Sequence, residues 1–98
     1  MRSQGDIIKI LENERETIKS FGVRELGVFG SFARNEQTDK SDVDVLVDLK
    51  YETFDAYMDL LFFLEELFDR KVDLVMKDTI KPVIRNKILA ETVYVQVF

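Results

Sequence analysis

GVFGSFARNEQTDKSDVDVLVDL, Gly27–Leu49, sets a Gly-Ser turn and then two aspartates at alternate positions inside an otherwise β-branched, apolar run. Val23–Phe29 reads as a strand, Ser31–Arg34 as a short helical turn, Asn35–Ser41 as a polar loop and Asp42–Leu49 as a second strand. On a strand Asp42 and Asp44 project from one face, ~6.6 Å apart at a rise of ~3.3 Å per residue, while Val43, Val45 and Val47 fill the other. Two anions ~4 Å apart repel by roughly 1 kcal/mol in water and ~4 kcal/mol at the effective dielectric near a protein surface, so a cation is the natural relief. Paired metals in phosphoryl-transfer sites lie about 3.5 to 4 Å apart, and carboxylates two residues apart can converge on such a pair.

A third carboxylate is expected. Asp48 shares the Asp44 face but lies about 13 Å along the strand. Asp73, inside the apolar run KVDLVM (Lys71–Met76), is the better candidate, because a neighbouring strand is only about 4.8 Å away. Gly30 and Ser31 form a strand-to-helix turn whose free backbone N–H groups can receive a phosphate, and Arg34 stands three residues on from Ser31, on the same face. The Walker and Rossmann glycine patterns are both missing.

Outside this segment, Ser3 with Asp6 resembles a capping box, and Ile7, Leu11, Ile18 and Phe21 keep helical spacing up to Gly22, so a first helix is expected over Ser3–Phe21. A second helix spans Phe54–Asp69. A last one, capped by Asp78 or Thr79 and carrying Pro82 in its first turn, runs to about Ala90, and TVYVQVF closes the chain as a strand. On the Phe54–Arg70 helix, Phe54, Tyr57, Leu60, Leu61, Phe63, Leu64, Leu67 and Phe68 share a core face. Met58 and Phe62 fall outside it among Asp55, Asp59, Glu65, Glu66 and Asp69, and mark a contact for a partner or for a second copy of the chain. Helices alternating with a small sheet make this an α/β (α+β) domain.

The chain has 98 residues, 46% of them apolar, including eight Phe, enough for a single domain over residues 1–98. Lys and Arg total 14 against 19 Asp and Glu, a net charge of −5, which argues against holding a long nucleic acid through its phosphates. With neither Cys nor His, thiol and imidazole chemistry is excluded, and any metal must be held by oxygen ligands, the preference of Mg²⁺ or Mn²⁺. No apolar signal core opens the chain and no window reaches the ~18 apolar residues of a membrane span, so the cytoplasm is the expected compartment.

GSFAR, then SDVDVLV after a short polar loop, then KVDLV together resemble the signature of the DNA polymerase beta-like nucleotidyltransferases. More narrowly, the chain is similar to the minimal nucleotidyltransferases, the antitoxins of toxin–antitoxin pairs. The resemblance runs from the leading helix to ETVYV, and Asn35 replaces the usual Gly of the loop, a left-handed position that Asn tolerates. It implies a small mixed sheet flanked by helices, with Gly30 and Ser31 cradling the triphosphate and Arg34 as an accessory phosphate contact. Asp42, Asp44 and Asp73 would bind two Mg²⁺, with Asp73 also orienting or deprotonating the acceptor hydroxyl. The implied reaction transfers AMP from ATP to a hydroxyl, releasing pyrophosphate, and the implied acceptor is a tyrosine of a HEPN-type ribonuclease toxin. Two other readings compete: a non-catalytic antitoxin that neutralises by contact, and nucleotide transfer to a small molecule. The latter is disfavoured by the missing acceptor domain.

Overall fold

The computed structural model describes residues 3–95. Along the chain lie α1 (Gln4–Asn13), α2 (Arg15–Ser20), β1 (Val23–Phe29), α3 (Gly30–Ala33), β2 (Val43–Leu49), α4 (Phe54–Phe68), β3 (Val72–Met76), a 3₁₀ turn (Lys77–Thr79), α5 (Pro82–Glu91) and β4 (Val93–Tyr94). The strands form one sheet in the order β3-β2-β1-β4. β1 runs antiparallel to both β2 and β4, whereas β2 and β3 are parallel, joined through α4. The sheet is therefore mixed and flanked by helices, as expected.

Alternation sorts β2 cleanly. Val43, Val45, Val47 and Leu49 are buried in the main core with Ile7, Leu11 and Ile18 of the leading helices and Leu60, Leu64 and Phe68 of α4. The leading helices thus pack beneath the sheet. Leu46, two residues from Asp44, belongs to a smaller cluster with Phe29 and Ile80, backed by Ile88, Leu89 and Tyr94 of the α5–β4 segment. Asp44 and Asp48 share that second, thinly covered face.

The capping box forms: Ser3 Oγ accepts from the Asp6 amide at 3.2 Å, and the Ser3 amide donates to Asp6 Oδ2 at 2.9 Å. The expected single first helix is broken at Glu14 (φ −102°, ψ 15°), whose amide is shared between Ile10 and Leu11 carbonyls. The break lets Ile7, Leu11 and Ile18 all reach full burial under a short sheet. Gly22 adopts φ +85° at the helix end, as its position suggested. Neither Asp78 nor Thr79 caps α5; both lie in the 3₁₀ turn, and Lys81 precedes Pro82 without a side-chain cap. Phe54, expected on the core face, is 76% exposed because it opens α4 before the helix has reached the sheet. The strand expected over the last residues forms at Val93–Tyr94, and the final three positions lie outside the described residues. No helix among the described residues is long and apolar enough to cross a membrane.

Candidate active site

Asp44 is the centre of the site. Its strand is an inner one, so it has a Cα partner on each side: Phe29 in β1 and Asp73 in β3. Direct pairing places the Asp44 and Asp73 side chains on the same face of the sheet, one strand spacing of about 4.8 Å apart. Asp42, expected as the first residue of β2, instead precedes it, exposed, and the ladder begins with the Val43 amide donating to the Lys71 carbonyl at 3.0 Å. Burial, then the charges of Asp73 and Asp42, push the Asp44 carboxyl up to about 6. Both other predicted acids therefore bear on Asp44, and among the described residues Arg34 opposes them without cancelling the shift.

Gly30 is required for two separate reasons. It adopts φ +70°, and a Cβ built there would stand 1.9 Å from Asp44 Oδ2. The Gly-Ser turn and the first aspartate of the ladder are thus in contact through a space only hydrogen fits. Ser31 follows, partly exposed, and Asn35 takes φ 58°, the left-handed conformation its position called for.

Arg34 ends α3 with its guanidinium doubly engaged: Nε donates to Glu36 Oε1 and Nη1 to Glu91 Oε2, each at 2.6 Å. Glu91 was not anticipated. It lies 57 residues away on a helix whose apolar pattern is weak, and no sequence signal ties it to Arg34. The same holds for Arg70, which donates to the Ser41 carbonyl at 2.8 Å and lies over the Phe32 ring at 5.4 Å. It ties the loop before Asp42 to the start of β3. Beside it the Val72 amide donates to Glu65 Oε2 at 3.1 Å. On the opposite face, Tyr57 donates to the Leu74 carbonyl at 2.6 Å, fixing α4 against β3. Asp48, set aside on distance, is occupied by Arg24 at 3.1 Å.

Three carboxylates, in a chain with neither imidazole nor thiol, make an oxygen-only set that suits Mg²⁺. Among the described residues no three acids lie close enough to hold a metal ion as they stand, but Asp42 and Asp73 are exposed and have room to turn.

Such a carboxylate ladder beside a Gly-Ser turn on a mixed sheet defines a nucleotidyl-transfer fold. The chain belongs to the nucleotidyltransferase domain family, which it matches over residues 8–95, and it is a nucleotidyltransferase of the minimal kind. It is 44% identical to the protein adenylyltransferase MntA of Thermococcus cleftensis, with 85% of each chain covered. It is 41% identical to a Methanocaldococcus jannaschii protein named by inference as a protein adenylyltransferase, over 97% of this chain and 100% of the other. A solved structure described, again by inference, as a minimal nucleotidyltransferase superposes with a TM-score of 0.72 at 32% identity, covering 88% of this chain and 93% of that one. A toxin–antitoxin complex with AMP-PNP shares the fold, with a TM-score of 0.70 at 22% identity over 86% of this chain and 71% of its own.

Proposed function

We propose that the chain is the antitoxin of a toxin–antitoxin pair and transfers AMP from Mg-ATP to a tyrosine hydroxyl of a HEPN-type toxin. The observation that carries the chemistry is the pairing of Asp44 with Asp73 against the Gly30 turn. The choice of a protein acceptor is supported by the MntA relative, and that of a HEPN toxin by a solved structure, 18% identical to this chain, of a tri-AMPylated HEPN toxin with its minimal nucleotidyltransferase antitoxin.

In this reading the Gly30–Ser31 backbone and Arg34 receive the triphosphate. Mg²⁺ bound by Asp42, Asp44 and Asp73 would supply Lewis-acid charge to the phosphates. The tyrosine oxygen attacks the α-phosphorus; the new O–P bond forms as the bond from that phosphorus to the bridging oxygen breaks, and pyrophosphate departs with the electron pair. Asp73, exposed on its strand, takes the phenolic proton.

The partner surface is assigned to α4. Phe54, Met58 and Phe62 recur every fourth residue, with Phe54 and Phe62 76% and 59% exposed. Asp55, Asp59, Glu65 and Glu66 lie on the same helix, which has no Lys or Arg. Two copies meeting through this face would oppose like charges, so it suits a partner with an apolar centre and a basic rim.

The test is to incubate the protein with Mg²⁺, labelled ATP and the co-encoded partner, and to map label on the partner by mass spectrometry. Label on tyrosine, lost in Asp42→Ala and in Asp44→Ala, is expected. Neutralisation of the toxin by both variants without label would refute the catalytic account, and label on a small hydroxylated compound without the partner would refute the choice of acceptor.

A further inference from the structure

Arg34 is half exposed, yet its guanidinium is fixed at two points by acceptors of different kinds. Glu36 is two residues away and its side chain is 63% exposed, a local surface contact. Glu91 comes from the last turn of α5 and its side chain is only 18% exposed. The end of α5 is itself anchored. Thr92 Oγ1 donates to the Ile88 carbonyl at 2.6 Å, Val93 and Tyr94 pair with Val28 and Gly27, and a Cβ on Gly27 would stand 2.5 Å from Thr92 Cγ2. Glu91 is therefore presented from a fixed post.

A guanidinium holds five N–H donors in one plane. The two bonds to carboxylates engage Nε and Nη1 and leave Nη2 without a protein acceptor among the described residues. A shielded glutamate close to a carboxylate ladder is costly unless its charge is matched, and Arg34 matches it at 2.6 Å. Gly30, which opens the short helix that Arg34 ends, stands directly against Asp44 Oδ2, which places the pair at the edge of the ladder.

We propose that Glu91 is a positioning residue, holding Arg34 from the anchored end of α5 so that Nη2 is set to meet a phosphate oxygen of the nucleotide. The inference rests on the reading of Arg34 as a phosphate contact. Holding the side chain in advance spares the freedom it would otherwise lose on binding, so the effect falls on nucleotide affinity rather than on turnover. Glu91 has a second consequence. Without Arg34 its unmatched charge repels the triphosphate.

The experiment compares the full-length parent, Glu91→Gln, Arg34→Ala and the double variant. Affinity for a non-hydrolysable ATP analogue with Mg²⁺ is read by calorimetry, KM for ATP and kcat by label transfer, and folding by thermal melting. Glu91→Gln, which keeps the shape, is expected to weaken analogue binding and raise KM about fivefold, with kcat within about twofold, an effect of the size found for coupled neighbours. In the Arg34→Ala background the same change is expected to do no harm, and to restore some affinity. Equal losses from Glu91→Gln in both backgrounds would overturn the inference, as would no loss in the parent while Arg34→Ala weakens binding. Should Arg34→Ala bind the analogue as the parent does, the phosphate role of Arg34 fails and the inference with it. Glu91→Asp supplies the remaining arm: it keeps the charge on a shorter stem, and recovery with it of less affinity than with Gln would contradict a charge-based hold.

Discussion

Asp44 stands on an inner strand opposite Asp73, and its negative charge works against the fold wherever the carboxyl is ionised. Its value in the folded chain is about 6 against an ordinary 3.8. Between these values the folded state binds more protons than the unfolded one, so stability declines as pH rises through this window, and the full penalty is present above it. Asp44→Asn removes the penalty. With metal chelated, the variant is expected to exceed the parent by ~1 kcal/mol at neutral pH, a figure reduced for the half-exposed position, and to show no advantage below the ordinary carboxyl value. Urea melts at both pH values check this, and a variant weaker than the parent at neutral pH would contradict it. Much of this residue-level arrangement was legible beforehand. A strand spacing of about 4.8 Å makes Asp73 a natural companion of Asp44, whereas the expected strand position of Asp42 was not met, since β2 begins at Val43. What could not be read was why Gly30 must be glycine, since the contact that forbids a Cβ comes from Asp44, on another strand.

Among the elements, the α5–β4 segment is held by fit rather than by burial, for no residue of α5 is fully buried. Gly27 makes the fit: a Cβ there would meet Thr92 Cγ2 at 2.5 Å, the Val93 carbonyl at 3.2 Å and Tyr94 Cδ1 at 3.3 Å. Gly27→Val should push β4 from β1 at a cost of ~2 kcal/mol, typical of overpacking. Hydrogen exchange is expected to accelerate at Val95, whose amide donates to the Leu26 carbonyl at 2.9 Å, while the β2–β3 amides keep their protection. Unchanged exchange at Val95 would show that the segment has another anchor. The elements themselves were mostly legible from period and turn residues. The break at Glu14 was not, because no Gly or Pro marks it and it arises from wrapping a short sheet. The Arg34–Glu91 pair was hidden for a related reason: sequence pattern reports local spacing, and this contact spans 57 residues.

For the molecule as a whole, the sheet separates the two tasks proposed for it. Asp44 and Asp73 lie on the face that α5 covers, whereas α4 lies beneath the other and turns Phe54 and Phe62 to solvent. Phe54→Ser with Phe62→Ser is therefore expected to weaken the complex with the co-encoded partner at least tenfold, the range of apolar interface anchors, while the melting temperature of the isolated protein holds or rises. Size-exclusion chromatography and calorimetry check it, and undiminished affinity would place the partner elsewhere. Exposure at Phe62 follows from a helical projection, but exposure at Phe54 depends on where the helix begins relative to the sheet, which spacing does not encode.

The irregularity of the sheet is confined to the Val23–Glu25 end of β1, while Val43–Val47 run against Val72–Met76 without interruption. Side chains alternate between faces with every residue, so the chemistry depends on parity. A one-residue slip of β3 against β2 would turn Val72 and Leu74 out of the core together with Asp73, so the packing that buries these two residues also fixes the face on which Asp73 stands.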